Sequence, residues 1–421
     1  MKIGISDIGI YIPESYIEIE DIEKNRVDIT PRISKRLMGS IKITGQKEIR
    51  FPAPWEDTVT MAAESSKVLL ERNKDKIPGI RYIGVGTETS VDASKPVAAY
   101  LQGLLQRSGV AVPANLGTFQ TQHACAAGTI ALLNTAAQLV VSNGPNDVGL
   151  IVCSDIAHYE RNSTAEITQG AGSIALLIEA NPRLVEIDLR SQGLSSKDVD
   201  DFFRPNHSKT ARVKGQYSMK CYQDSLIEAF DDYCLRSGNS IEKVINETDY
   251  FICHSPFAAM SKMALRYLYE EKTGKEFDEA EIFINQHGAN DISEYISSIG
   301  NLYSGSMYLN LATTLYHEWD KSGSGIIGKK ILFASYGSGN TMIVFSGTVA
   351  PGVVDVVSQW DIPSILQQKK HADFSVYENW VKTPSIEDSG SLSYYIDKIP
   401  LNSFYLNTIR SDGYREYDVK K

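Results

Sequence analysis

The chain has 421 residues, of which 42% are hydrophobic and 22% are charged, as is usual for a globular protein. It carries 42 basic and 52 acidic side chains, and its formal net charge of −10 argues against nucleic acid as a partner, because phosphate binding requires a basic face. No stretch approaches the ~18 consecutive apolar residues of a membrane span, so we expect a cytoplasmic protein that has no membrane partner.

Short apolar runs alternate with amphipathic stretches, and this pattern predicts an α/β protein. In the first half of the chain, the predicted elements are strand 3–11, helix 57–72, strand 80–86, helix 96–107, strand 116–122, a long apolar helix from about 124 to 141, and strands 148–154 and 173–179. The order repeats in the second half, which predicts helix 222–235, strand 250–254, helix 258–271, a helix that ends near 319 after a small-residue turn at 300–305, and strands 330–335 and 341–349.

The repeated order predicts a duplicated α/β unit. Two copies of well over a hundred residues each do not form a solenoid. We predict a first half at 1–180, a second half at 181–350, and a C-terminal extension at 351–421 that packs on the core. The polar segments 191–217 and 274–294 do not fit the repeat, and we interpret them as insertions.

Cys125 stands where a predicted strand turns into a helix, and its neighbours Ala124, Ala126 and Ala127 are small. The first turn of a helix offers unpaired N–H groups and the positive end of a dipole, which lower the pKa of a thiol and can bind an oxyanion. A buried structural cysteine is the alternative, and the motif alone leaves both open. We expect structural roles for the remaining cysteines, which are Cys153, Cys221, Cys234 and Cys253.

Two polar residues end strands that correspond to each other in the two halves. Glu88 follows Ile-Gly-Val-Gly-Thr, and His254 follows Asp-Tyr-Phe-Ile-Cys. Sites in open α/β sheets form beyond the carboxyl ends of strands, so the duplication predicts a carboxylate and an imidazole near the thiol. Taken singly, Glu88 would be a helix cap or a surface charge, and His254 would be a core histidine. Their convergence with Cys125 favours a nucleophile with acid–base partners.

Other chemistries have no motif in the sequence. The glycine-rich turn 335–340 joins two apolar strands as a hairpin would, and its glycines permit a backbone N–H to approach a thioester oxygen closely. It lacks the GxxxxGK[ST] form of a phosphate-binding loop, and no GxGxxG follows strand 80–86. The five cysteines include no CxxC pair, which indicates free thiols in a reducing compartment. The seven histidines lack metal-ligand spacing, so we expect no metal site.

Eight short motifs occur in order along the chain: GTETSVD at 86–92, HACA at 123–126, SDIAHY at 154–159, TQGAG at 168–172, DFFRP at 201–205, HSPF at 254–257, GNLYSGS at 300–306 and SYGSG at 335–339. In this order they resemble the hydroxymethylglutaryl-CoA synthase family of the thiolase-like superfamily. The resemblance runs from residue 2 to about 349 and more weakly to 417. It implies the duplicated, five-layered αβαβα fold of that superfamily and a homodimer.

The resemblance also implies an activity: acetyl-CoA, acetoacetyl-CoA and water give 3-hydroxy-3-methylglutaryl-CoA and CoA, a step of the mevalonate route to isoprenoids. The CoA thioesters are substrates, and we expect no cofactor. Cys125 matches the nucleophile that takes the acetyl group, Glu88 matches the base that deprotonates the acetyl methyl, and His254 matches the residue that positions acetoacetyl-CoA and polarises its ketone. The other matching positions bind substrate or support the pocket, and they are Asp155, Tyr159, Thr168, Asp201, Ser218, Asn301 and Ser338.

The sequence departs from the family pattern at positions that commonly hold lysines for the CoA phosphates. After the HSPF motif it has Ala259 and Met263, with Lys262 as the nearest cation. Arg32 matches the position of another lysine of the family. The missing lysines leave open a β-branching synthase of polyketide assembly, which takes acetoacetyl on an acyl carrier protein.

Three further alternatives are disfavoured by particular residues that the sequence contains or lacks. A non-catalytic scaffold would not need Cys125, Glu88 and His254 together. Decarboxylating ketoacyl synthases need no base such as Glu88, because loss of CO2 makes their carbanion. Thiolases use a second cysteine near the C-terminus, and the sequence has none after Cys253.

Overall fold

The computed structural model describes residues 1–26, 31–142, 144, 146–206, 208–287, 292–383 and 390–421, with the backbone alone described for 31–34, 292 and 293. The strands within these residues are β1 Ile3–Tyr11, β2 Ser15–Glu18, β3 Glu48–Arg50, β4 Ile80–Gly86, β5 Gly117–Thr121, β6 Val148–Ala157, β7 Gly170–Ala180, β8 Val185–Ser196, β9 Phe202–Phe203, β10 Arg212–Val213, β11 Tyr250–Cys253, β12 Lys330–Gly337, β13 Thr341–Val349, β14 Lys370–His371, β15 Gly390–Ser391, β16 Phe404–Ile409 and β17 Arg415–Val419. The helices are α1 Ile19–Arg26, α2 Pro31–Thr44, α3 Thr58–Arg72, α4 Val97–Arg107, α5 Ala127–Ser142, α6 Gly215–Ser237, α7 Ile241–Glu247, α8 Met260–Thr273, α9 Phe277–Gln286, α10 Ile292–Ile299, α11 Ser304–Ser322, α12 Val353–Val357, α13 Ile362–Gln367 and α14 Phe374–Lys382.

One large sheet shows the duplication in its strand order, which is β11-β12-β13-β8-β1-β7-β6-β4-β5. In the first half, β1 pairs antiparallel with β7, β7 pairs antiparallel with β6, and β6 pairs parallel with β4. The second half repeats these pairings in β8, β13, β12 and β11. The halves join where Gly4 and Ile5 of β1 pair with Glu186 and Val185 of β8. The predicted duplicated α/β fold is confirmed.

The helices form three layers around the two half-sheets. The middle layer consists of α5, which packs on the strands of the first half, and α11, which contacts α5 and strands of both halves. The outer layers consist of α3 and α4 on the first half and of α6 and α8 on the second half. Apolar side chains fill both interfaces of each half-sheet, which explains why strands such as β6 and β7 are buried along almost their whole length. The result is the five-layered αβαβα arrangement that the family resemblance implies.

The first of the two predicted insertions is partly wrong. Residues 191–196 of the first one belong to the core strand β8, and residues 215–217 begin helix α6. The sequence of β8 alternates apolar and polar residues and is exposed on part of one side, so it lacks the continuous apolar run by which the other core strands are recognised. The second predicted insertion contains helix α9, which packs against α8.

The chain beyond β13 packs mainly on the first half. Strand β14 pairs with β2, and Trp380 of α14 stacks on Phe51 with ring centroids 5.3 Å apart. The hairpin of β16 and β17 covers α3 and α4. Asp57, which caps the N-terminus of α3, accepts hydrogen bonds from the Tyr417 hydroxyl at 2.7 Å and from Arg415 at 3.2 Å. The cap thus ties the C-terminal hairpin to the core.

The segment Ala124–Ser142, which contains α5, is long and apolar enough to cross a membrane by length and composition. Thr129, Asn134 and Gln138 interrupt its apolar run. Of the apolar window, 61% is buried inside the protein. Burial between two half-sheets therefore accounts for its composition, and the absence of a membrane partner stays a prediction.

Candidate active site

Cys125 lies in a tight turn between β5 and α5, two residues before the helix begins. The N–H of Ala126 donates to the His123 carbonyl at 3.0 Å, and Ala124 has a φ of +41°, a conformation that L-residues rarely adopt. Strained backbone of this kind is held in place by its surroundings and clusters at functional sites. The turn therefore projects the thiol rather than enclosing it in the helix.

The glycine-rich turn after β12 seats against the cysteine turn. A Cβ at Gly337 would lie 2.5 Å from the His123 carbonyl oxygen and 2.7 Å from the Ala126 side chain, so only glycine fits there. The next residue, Ser338, lines the cavity. The turn after β12 therefore lies directly against the segment that carries the thiol, and the approach of its N–H groups to a thioester oxygen stays a prediction.

A cavity of about 700 Å³ opens in front of Cys125. It collects seven of the predicted site residues, which are Cys125, Tyr159, Thr168, Ser218, His254, Asn301 and Ser338. Aromatic and basic side chains complete the wall, including Tyr222, Tyr303, Tyr336, Lys35, Arg36 and Lys214. The cavity is of the size that holds a small-molecule ligand.

The expected low pKa of the Cys125 thiol is wrong for the free protein. Cys125 is 7% exposed, and burial raises its pKa well above the ordinary value. The carboxylates of Glu88, Asp155 and Asp201 raise it further, while the backbone N–H of Cys125 acts in the opposite direction. Burial and three nearby negative charges outweigh the helix start, because the thiolate would form in a dry and already negative site.

Glu88 has a strongly perturbed carboxyl group. Its side chain is 6% exposed, and burial raises its pKa to about 8, with Asp155 acting in the same direction. Arg204 and the Tyr303 hydroxyl lower the pKa of Glu88. The charge of Glu88 acts on the thiol, whose pKa it raises, but Glu88 is not part of the cavity wall. A carboxyl with a pKa near 8 is suited to act as a base at neutral to mildly alkaline pH.

Asp155 holds the segment that carries Glu88. Its Oδ1 accepts hydrogen bonds from the Thr87 hydroxyl at 2.7 Å, the Glu88 N–H at 3.0 Å, and the N–H and hydroxyl of Thr89 at 3.2 and 2.7 Å. Burial raises the pKa of Asp155 to about 6, and these hydrogen bonds limit the rise. Asp155 therefore fixes the segment that follows β4 and carries Glu88.

His254 is buried and neutral. It follows β11, is 1% exposed, and burial lowers its pKa to about 3. The backbone N–H of His254 donates to the Ala334 carbonyl at 2.9 Å, and its backbone carbonyl accepts a hydrogen bond from the Tyr222 hydroxyl at 2.9 Å. Its Nδ1 has no hydrogen-bond partner among the described residues. A neutral imidazole facing the cavity can donate a hydrogen bond to a carbonyl oxygen.

Asn301 links two other site residues. Its side-chain N–H donates to the Tyr159 hydroxyl at 3.1 Å, and its Oδ1 accepts from the Tyr303 N–H at 2.8 Å. The backbone N–H of Asn301 donates to the Thr168 carbonyl at 3.3 Å. Asn301 thus joins the segments that contribute Tyr159, Thr168 and Tyr303 to one wall of the cavity.

Asp201 anchors the opposite wall rather than the reacting thiol. Its Oδ2 accepts from Ser218 at 2.9 Å and from the Tyr336 hydroxyl at 2.8 Å, and its Oδ1 accepts from the Gly339 N–H at 2.8 Å. These bonds fix the turn that presents Ser338. The side chain of Arg32 lies outside the described residues, and Lys262 lies on α8 away from the cavity wall.

Sequence reasoning missed several residues of the site. Arg204 lies 3.9 Å from Glu88, and it was visible only as part of the DFFRP motif. Lys35 and Arg36 of α2 line the cavity, as does Lys214. The end of α2 lies against the start of α8, since the backbone N–H of Ala259 donates to the Thr44 carbonyl at 3.1 Å.

Comparisons with known proteins agree with this geometry. The family model "Hydroxymethylglutaryl-coenzyme A synthase N terminal" matches residues 1–183, and the corresponding C-terminal model matches 185–289 and 285–420. The chain belongs to the hydroxymethylglutaryl-CoA synthase family. A hydroxymethylglutaryl-CoA synthase of Haloferax volcanii is 30% identical over 78% of this chain and 81% of its own length.

Solved structures share the fold over the whole chain. A structure of MvaS in complex with 3-hydroxy-3-methylglutaryl coenzyme A is 30% identical, covers 100% of this chain and 99% of its own, and has a TM-score of 0.85. The synthase of the curacin biosynthetic pathway is 23% identical with a TM-score of 0.84 and full coverage of both chains, which shows the fold alone. This member of the hydroxymethylglutaryl-CoA synthase family is therefore an enzyme with a thiolase-like fold.

Proposed function

We propose that the enzyme condenses acetyl-CoA with acetoacetyl-CoA through an acetyl-Cys125 intermediate, with Glu88 as the base and His254 as the residue that polarises the ketone. The observation that carries this proposal is one cavity of about 700 Å³ that is lined by Cys125, His254 and Asn301, together with the Glu88 carboxylate, whose charge acts on the thiol. A thiol, a base of raised pKa and a neutral hydrogen-bond donor are the groups that this chemistry needs.

The first half-reaction forms the acyl-enzyme. The Cys125 sulfur attacks the acetyl-CoA carbonyl, the thioester bond to CoA breaks, and CoA leaves with the proton that the thiol gave up. Because the pKa of the free thiol is raised, the proton must leave as the sulfur attacks rather than before. Backbone N–H groups of the turn around Cys125 and of the neighbouring turn at Ser338 are the proposed donors to the oxyanion.

The second half-reaction makes the carbon–carbon bond. Glu88 removes one proton from the acetyl methyl, and the resulting carbon nucleophile attacks the ketone of acetoacetyl-CoA, which accepts a hydrogen bond from neutral His254. The new alkoxide takes up one proton. Water then hydrolyses the bond to Cys125, which releases 3-hydroxy-3-methylglutaryl-CoA and the free thiol. Side chains supply every step, and we propose that no cofactor or metal takes part.

CoA is the proposed carrier of the acetoacetyl group. The cavity wall has three basic residues, Lys35, Arg36 and Lys214, and these supply positive charge for the phosphates of CoA where the family lysines at 259 and 263 are missing. The proposed pathway is the mevalonate route, in the cytoplasm.

Release of CoA from acetyl-CoA, measured with and without acetoacetyl-CoA, tests the reaction. We expect slow release with acetyl-CoA alone, fast release with both, and none with Cys125→Ala. Acetoacetyl on an acyl carrier protein serves as the competing acceptor. Faster turnover with the carrier protein than with acetoacetyl-CoA would favour the polyketide alternative, and no acceptor-dependent release would contradict a synthase.

A homodimer is the proposed assembly. Strand β5 is the last strand at one edge of the large sheet, and its five residues are half-buried or exposed. An edge strand with unpaired backbone groups can pair with a second copy. Light scattering during gel filtration should give about twice the monomer mass, and a monomer mass at micromolar concentration would contradict the proposal.

A further inference from the structure

Arg204 brings a guanidinium group to the carboxylate of Glu88. Its Nη2 lies 3.9 Å from Glu88 Oε1, and the two side chains are 18% and 6% exposed. Glu88 Oε1 accepts no hydrogen bond from the residues that the structure describes. The contact is thus an ion pair without a hydrogen bond, and its shielding from water strengthens it.

The backbone around Arg204 is held firmly in place. Arg204 follows β9, which pairs with β10. The preceding Asp201 is fixed by the hydrogen bonds described above, and the Phe202 ring packs edge-on against Tyr159 and Tyr303, with centroids 6.3 and 6.0 Å apart. The guanidinium is therefore presented to Glu88 by a packed segment and not by a long, freely moving side chain on the surface.

Among the described residues, the groups other than Arg204 that act on the Glu88 carboxyl are neutral or negative. Asp155 raises the pKa of Glu88, whereas Arg204 and the Tyr303 hydroxyl lower it. Arg204 also lowers the pKa of Asp155. Glu88 in turn raises the pKa values of Cys125, Tyr159 and Tyr303. Two carboxylates and a thiol thus share one buried space, and Arg204 is the cation that acts on Glu88.

Building on the proposed function, we infer that Arg204 is a positioning residue that increases the ionised fraction of Glu88 and orients its carboxylate toward the acetyl methyl. A carboxyl group acts as a base only in its ionised form, and a guanidinium keeps its charge throughout the working pH range. Arg204 takes no part in proton transfer itself. Its effect reaches the reaction through the charge and placement of Glu88.

The test compares the pH dependence of condensation in wild type, Arg204→Met and Arg204→Lys. Loss of a positive charge within about 4 Å of a carboxylate raises the carboxyl pKa by about one to three units. We expect the acidic limb of kcat/KM in Arg204→Met to move up by at least about one pH unit, and Arg204→Lys to restore most of this shift. Arg212→Met is the matched control, because Arg212 is an exposed residue of β10, next to the same strand. Its profile should coincide with that of wild type.

Two further measurements separate this inference from a structural role and from the proposed function. In a Glu88→Gln background, replacing Arg204 by Met should change methyl-proton exchange no further, because the group on which Arg204 acts has been neutralised. An equal loss of activity at every pH, or a full further loss in the Glu88→Gln background, would overturn the inference. A wild-type protein that does not condense would instead refute the proposed function. If Arg204→Met does not fold, Arg204→Gln serves the same comparison.

Discussion

The burial of Glu88 predicts the pH dependence of carbon–carbon bond formation. The pKa of this carboxyl group is raised to about 8. At pH 7, about one-tenth of the enzyme would then carry the ionised base, and at pH 6 about one-hundredth. The rate of deprotonation of the acetyl-enzyme should therefore rise about tenfold per pH unit up to pH 7 and level off above pH 9. An unperturbed glutamate would reach its plateau below pH 6.

The assay follows exchange of the methyl protons of acetyl-Cys125 in deuterated buffer from pH 5.5 to 10, in wild type and in Glu88→Gln. The amide keeps the shape of the side chain but cannot take a proton, so exchange and condensation should fall at least about 10²-fold. Acetylation should persist in this variant, because loss of the Glu88 charge removes one cause of the raised thiol pKa. A wild-type midpoint near pH 4.5 would refute the effect of burial, and normal condensation by Glu88→Gln would refute the role of Glu88 and leave Asp155 or Asp201 to be tested.

Three other predictions concern the residues around the thiol. Labelled acetyl-CoA followed by peptide mapping should place the label on Cys125, and label on Cys153 would contradict the assignment. His254→Ala should raise KM for acetoacetyl-CoA while acetylation continues, because an imidazole with a pKa of about 3 is too weak a base for the thiol; loss of acetylation in a folded variant would show that it is the base. Asp155→Ala leaves four hydrogen-bond donors without their acceptor and should lower the free energy of unfolding by about 3 kcal/mol or more, which an unchanged Tm would contradict.

The sequence by itself determined the fold and named the candidate reacting residues. Strands β1, β4 and β13 have the predicted bounds, because each is a mainly apolar segment that ends at a clear change of composition. The repeat placed Glu88 and His254 at the ends of corresponding strands, and the order of motifs identified the family. Such features are local in the sequence or depend only on the order of elements, so they can be recognised from the sequence alone.

Only the tertiary structure decided the electrostatics of the site. A low thiol pKa was expected from the residues next to Cys125 in the sequence. The burial and the carboxylates that raise the pKa of Cys125 come from distant parts of the chain. The cations of α2 and Arg204 are far from Cys125 in sequence and reach the site only through packing. Burial and charge at a site are sums over all neighbours in space, and a sequence shows only the neighbours along the chain.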